Sequence, residues 1–277
     1  MSIKRVEIIS KEGIFMRIAV ITGASMGLGR EFARQIPKCY RSLDEIWLIA
    51  RNTDKLEEVK QELTSVNGVY CRLYDSDLLQ DEVYNHLQRD MEALKPDIRI
   101  LVNAAGFGKN ASVMATDVKI LTDMIQLNCQ ALTRLTSQCI PFMSGGSRIV
   151  NLASAAAFAP QPGAAVYAAT KAYVLNYSRA LGKELAENGI FVTSVCPGPV
   201  DTNFFDTAGT LKIPAKQKLM AKPEQVVRKA LLDVRRRRSI SIYGAAMKGA
   251  KLAVRLSPDR VTDWFMNRMN NKEYNVR

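Results

Sequence analysis

Histidine is nearly absent from this chain. Its 277 residues include one, His86, in a polar stretch with helical character. That leaves no basis for a histidine-dependent catalytic triad or a histidine-ligated metal. The five cysteines, at 39, 71, 129, 139 and 196, form no C-x-x-C pair. They suit a reducing compartment better than a disulfide framework. No apolar run approaches the roughly 18 residues that a membrane-spanning helix needs. Lys4, Arg5, Glu7, Lys11 and Glu12 break up the first fifteen residues, so they hold no secretory apolar core. The expected location is cytoplasmic, with attachment at the periphery of a membrane left open by the C-terminal end. Repeats, low-complexity tracts and a dividing linker are also lacking, which fits one large domain.

Acidic residues are scarce at one end only. From Lys212 onward there are seventeen Lys/Arg and five Asp/Glu, so the last 66 residues hold the whole formal charge of +12. They include R-R-R-R at 235–238, and Lys248, Lys251 and Arg255 at helical spacing. Met247, Ala250, Leu252, Val254 and Leu256 give that segment an apolar side. Ser257 and Pro258 then read as N-cap and first residue of a last helix bearing Val261, Trp264 and Phe265. Three readings stay open for residues 245–277. They are a solvated basic face packed on the protein, an amphipathic element at an anionic membrane or subunit interface, and a dock for an acidic substrate carrier. Nucleic acid is disfavoured, because a basic patch without a recognition motif attracts phosphate only generally.

Strand and helix signals alternate to about residue 242, as a parallel sheet with helices on both faces requires. R-I-A-V-I at 17–21 reads as a buried strand, followed by T-G-A-S-M-G-L-G at 22–29 and a helix. Gly23 permits a tight turn, Gly27 lets the backbone approach a pyrophosphate, and Gly29 allows close helix–strand packing. With Ser25, Met26 and Leu28 they bring helix-start amides toward phosphate. The second strand ends at Ala50, where NAD-binding folds place an acid, and Arg51 follows. A guanidinium suits the 2′-phosphate of NADP(H). Met26, where a basic residue would add to that signal, leaves NAD(H) open, as does Arg51 as a merely solvated strand end. Asn52 is a candidate for one further hydrogen bond. Tyr167 and Lys171 are spaced one helical turn apart, and an ammonium beside a phenol lowers the phenol's pKa. Residues 1–15 read as a possible N-terminal extension before Met16, or as a short extra strand from V-E-I-I.

These motifs, with N-A-A-G at 103–106, Asn128 in I-Q-L-N-C-Q-A-L, Ser154 in N-L-A-S and P-G-P-V-D-T at 197–202, resemble the short-chain dehydrogenase/reductase family. The resemblance covers residues 17 to about 202. It implies one doubly wound α/β sheet of the Rossmann type over residues 16–277, with a helical C-terminal extension. It also implies hydride transfer between a nicotinamide cofactor and a carbonyl/secondary-alcohol pair. In that comparison Tyr167 is the proton donor and Ser154 polarises the carbonyl oxygen. Lys171 holds the nicotinamide ribose, and Asn128 holds a water that relays protons to it. Asp77 with Leu78 would meet the adenine, with Asp75 as the alternative. Asn103, Ala104 and Gly106 would lie at the adenosine ribose and the central sheet. Pro197, Gly198, Val200 and Thr202 would fix the carboxamide. The resemblance further implies a homodimer or homotetramer through helices at about 117–141 and 164–187. Residues 155–166 and 203–222, mostly apolar, would line the pocket for a lipophilic ketone or acyl substrate. A binding protein that keeps the fold without catalysis is the rival reading.

Overall fold

In the computed structural model, residues 15–209 and 220–274 are described. Seven strands form one parallel sheet in the order β3-β2-β1-β4-β5-β6-β7. They are β1 (Arg17–Thr22), β2 (Glu45–Ala50), β3 (Tyr70–Asp75), β4 (Asp97–Asn103), β5 (Arg148–Leu152), β6 (Phe191–Val195) and β7 (Ile240–Ser241). A parallel sheet needs cover on both faces, so its strands are continuously apolar rather than alternating. β1 shows why. Ala19 and Ile21 face α1 (Gly27–Cys39), α2 (Thr53–Asn67) and α8 (Pro223–Arg235) through Phe32, Ile36, Leu56 and Val227. Ile18 and Val20 face α3 (Asp81–Leu94), α5 (Leu132–Cys139) and α6 (Ala165–Glu184) through Leu87, Leu135 and Leu181.

The chain runs outward from β1 to β3 and then returns to β4 on the other side. The order therefore reverses between β1 and β4, and a crevice opens beyond their carboxyl ends. α7 (Phe204–Ala208), α9 (Ala245–Leu256) and α10 (Asp259–Tyr274) stand at that same end of the sheet, around the crevice. The expected N-terminal extension lies outside the described residues except for Phe15.

The helix expected over about 117–141 is interrupted. α4 (Val118–Ile125) and α5 are joined by a π-helical turn, Gln126–Ala131, that contains Asn128. Wide turns of this kind gather at functional sites. Ser257 also departs from expectation. Its hydroxyl donates to Ala253 O at 2.8 Å and closes α9, while the carbonyl of Pro258 accepts from Val261 and Thr262 to begin α10. Part of the four-arginine run serves the turn from α8 into β7. Arg237 stacks on Phe191 at 4.4 Å, and Arg238 lies 3.6 Å from buried Asp233. Phe191 opens β6, so these arginines sit at the opposite end of the sheet from the crevice.

Candidate active site

The glycine-turn end of the crevice is built from backbone. The chain leaves β1 at Thr22 and turns at Gly23, whose φ of +64° suits glycine. A side chain on Gly23 would meet the Ala105 amide at 2.9 Å, so the loop after β4 lies directly against this turn. Thr22 Oγ1 accepts from the amides of Ala104 and Ala105, both at 3.0 Å. The hydroxyl thereby fastens the two loops that border the crevice. A Cβ on Gly29 would run into the carbonyl of Gly23, so α1 can start this close to β1 only with glycine there. Met26 is the N-cap with extended backbone, and no described side chain caps α1. The first amides of α1 thus remain for an outside acceptor at the positive end of the helix dipole. Ser25, Met26, Gly27 and Leu28 line the cleft at this point. Backbone donors, a favourable dipole and space cleared of side chains fit a pyrophosphate.

Beyond it, Arg51 leaves β2 with its side chain 75% exposed and its guanidinium 3.9 Å from Asp77. Asp77 accepts from the Leu79 amide at 3.0 Å and borders the cleft with Leu78. Asp75 instead accepts from the Thr53 hydroxyl at 3.2 Å, outside the cleft lining. Asn52 lines the cleft too, with its side-chain oxygen engaged as the N-cap of α2 at 2.8 Å from Lys55 N. Asn103 is buried behind the cleft. Its amide donates to Thr136 Oγ1 at 2.9 Å and Asn151 Oδ1 at 2.8 Å, bracing β4 against β5. Ala104 and Gly106 supply the cleft wall there.

The polar centre lies where β5 and α6 meet. Ser154 follows β5, and its Oγ accepts from Ala156 N at 3.1 Å to start a 3-10 turn, Ala155–Phe158. Tyr167 is in the first turn of α6 and Lys171 one turn later. Tyr167 is half-buried at the wall of the cleft. Burial pushes its phenol up to about 12, and a hydrogen bond with Ser154 acts against that. The spacing of Tyr167 and Lys171 suggested the reverse, a lysine that lowers the phenol. Here desolvation is the larger influence, although the Lys171 ammonium lies 5.8 Å from the Tyr167 ring centre. Lys171 is 6% exposed and donates to Leu152 O at 2.8 Å. Burial lowers its ammonium to about 8, with the thiols of Cys129 and Cys196 acting weakly against it. The Cys196 thiol is itself pushed up by burial to about 11.

Asn128, 1% exposed, is fully engaged. It accepts from Phe107 N at 3.1 Å and donates to Phe107 O at 2.9 Å and Thr170 Oγ1 at 3.0 Å. A Cβ on Gly106 would stand 2.7 Å from Asn128 Oδ1 and 3.4 Å from Lys171 Nζ. Glycine there lets the strand-end loop pass over the centre. Thr22 and Thr170 were not singled out by sequence. A threonine directly before a glycine turn was the available signal for the first. Nothing in the sequence marks the second apart from its place between Tyr167 and Lys171.

The other end of the cleft is built from side chains. The cleft has a volume of about 1230 Å³. Phe204 of α7 packs on Tyr167 with ring centres 5.5 Å apart, and Asn110 N holds α7 by bonding Ala208 O at 2.9 Å. Pro197 and Gly198 line the wall, with Gly198 close against Met247 of α9. Val200 pairs with Ala221, and Thr202 Oγ1 accepts from Phe204 N at 3.3 Å. Of the expected pocket segment 203–222, residues 210–219 lie outside the described residues. α9 and α10 complete the cleft with Met247, Ala250, Val254, Val261, Trp264 and Phe265. Asn270 ties α10 to the loop before α6, donating to Gln161 Oε1 at 3.1 Å. Among the described residues no cluster of three His, Cys, Asp or Glu is arranged to hold a metal ion.

The family model for short chain dehydrogenase matches residues 17–211. A very-long-chain 3-oxoacyl-CoA reductase of Pyrenophora tritici-repentis is 32% identical over 227 residues, 79% of this chain. The match spans 63% of that relative's own length. A short-chain dehydrogenase from Sphingobium yanoikuyae, solved in complex with NADPH, is 30% identical with a TM-score of 0.75. It covers 86% of this chain and 93% of its own. The bulky-bulky ketone specific alcohol dehydrogenase of Comamonas testosteroni is 26% identical, with a TM-score of 0.71 over 86% of this chain and 91% of its own.

Proposed function

Because the chain belongs to the short-chain dehydrogenase/reductase family of oxidoreductases, we propose that it reduces a lipophilic ketone or acyl compound to the secondary alcohol with NADPH. The observation that carries this reading is the meeting of Ser154, Tyr167 and Lys171 at one wall of a large, mostly apolar cleft. A bound nicotinamide dinucleotide would supply the hydride. The glycine turn and the α1 amides would hold its pyrophosphate, and Lys171 its nicotinamide ribose. Arg51 would meet a 2′-phosphate, in exchange for its loose, exposed pairing with Asp77.

The chain's own part in the chemistry is proton supply and orientation. With its phenol pushed up to about 12, Tyr167 keeps its proton at working pH and has it to give to a forming alkoxide. Ser154, bonded to Tyr167, would donate to the same oxygen. Asn128 would position the N-A-A-G loop and a proton path toward Lys171. Phe204 and the α9–α10 wall would exclude water from the reacting carbon. Exposed Val118, Ile125 and Tyr173 on α4 and α6 are where a subunit contact would form. NAD(H) in place of NADP(H) is favoured by Met26, because the turn offers no second cation to a 2′-phosphate.

The test is oxidation of NADPH and of NADH with a panel of ketones and acyl compounds, for the parent and for Tyr167→Phe. The variant should lose about 100-fold or more in turnover, the scale of lost general acid catalysis, while still binding cofactor. Near-normal turnover in Tyr167→Phe would overturn the mechanism. Cofactor binding without turnover in the parent would support the non-catalytic binding protein.

A further inference from the structure

The last two helices carry more apolar surface than the cleft uses. Passing round α9 at about 100° per residue, Met247, Val254 and Lys251 face the protein. Arg255 and Lys248 come next on one flank, then Leu252 and Leu256, then Ala253 and Ala250, which return to the cleft. Leu252 and Leu256 are 59% and 75% exposed. On α10, Thr262 and Met266 are buried, while Val261, Trp264 and Phe265 line the cleft and remain more than half exposed. The rim of the cleft and the outer apolar strip of α9 therefore form one surface. A basic flank borders it.

We infer that this surface docks on an anionic lipid bilayer, so that the cleft opens toward the hydrocarbon side of the interface. Three observations select that occupant. The segment 245–269 carries Lys248, Lys251, Arg255, Arg260 and Arg268 against Asp259 and Asp263, a net charge of +3, and an anionic surface complements it. The side chains set beside that charge include Trp264, Phe265 and Leu256, the residue types that enter the headgroup boundary from an amphipathic helix. The exposed strip of α9 continues through Ala253 and Ala250 into the cleft, which gives an apolar substrate a route from lipid toward Tyr167. A second copy of the chain fits less well, because a symmetric contact would set two basic flanks against each other. The delivery of substrate rests on the function proposed above; the docking itself does not.

The experiment uses the full chain with vesicles of phosphatidylcholine alone and of phosphatidylcholine with phosphatidylglycerol, at low and moderate salt. Of the two tryptophans, Trp47 is fully buried and Trp264 is 64% exposed, so a change in fluorescence reports on Trp264. Pelleting should require the anionic lipid and weaken with salt. Trp264 emission should shift to the blue and be quenched by lipids brominated on the acyl chain. Lys248→Glu with Arg255→Glu should weaken binding by about 25-fold or more, taking roughly fivefold per charge lost. Leu252→Ser with Leu256→Ser should weaken it without altering turnover of a water-soluble ketone. Failure to pellet with anionic vesicles would overturn the proposal. So would pelleting that leaves Trp264 emission unchanged, which would mean adsorption through another basic region. Shielding of Trp264 by self-association without lipid would make this face a subunit contact and overturn it too. Turnover of the soluble ketone is read separately, so loss of docking and loss of the enzymatic reading are distinguishable.

Discussion

The two ends of the cleft are made by different means. At the glycine-turn end the wall is largely backbone, set by Gly23, Gly29 and the hydroxyl of Thr22, and backed by strands that are almost completely buried. At the other end the wall is side chains from α7, α9 and α10, and several of those side chains also face solvent. The first end is fixed by steric exclusion, since an added Cβ has nowhere to go. The second is fixed by whatever covers its apolar surface. Under the proposed function, a cofactor common to many reactions would use the rigid end, and a substrate that differs from one relative to the next the adaptable one.

The largest expected effect that sharpens this contrast is at Lys171, where the two ends meet. Its folded pKa of about 8 lies below the 10.5 of the free group. The charged form is thus disfavoured by folding, a cost fully present below pH 8 and gone above 10.5. Relative to Lys171→Met, the parent should gain about 3 kcal/mol of stability as pH rises through that window. Urea unfolding of both proteins at several pH values measures this. A constant difference would show that the lysine is not desolvated.

A smaller effect is expected at the rigid end. Arg51→Ala should weaken NADPH binding by about 1.5–3 kcal/mol, the scale of a hydrogen bond to a charged group, and leave NADH nearly unchanged. Fluorescence titration with both cofactors decides it, and equal losses would remove Arg51 from the 2′-phosphate site. The smallest effect belongs to the other end. Leu256→Ser should change the folding free energy by no more than about 0.5 kcal/mol, because the side chain is 75% exposed. A loss of several kcal/mol in denaturant unfolding would show that this strip is already packed, and would break the contrast.

The sheet was legible because buried parallel strands are apolar runs, and the glycine turn because its spacing follows from sterics. R-I-A-V-I-T and T-G-A-S-M-G-L-G have few other uses in that order. The π turn around Asn128 was not legible, since one extra residue in a helix leaves the apolar period almost intact. Nor was the state of Tyr167. Sequence spacing put a lysine near it, but which influence governs its proton depends on how much water the surrounding chain removes.

By itself the sequence determined the family and the α/β class, because each rests on local spacing or on burial of continuous apolar runs. Tertiary structure alone decided the rest. It put Asp77 rather than Asp75 at the wall of the cleft, tied Asn103 into the sheet, and turned one side of the basic C-terminal segment into the wall of the cleft. Those outcomes depend on which residues distant in sequence come within a few ångströms of one another, and sequence spacing carries no record of that distance.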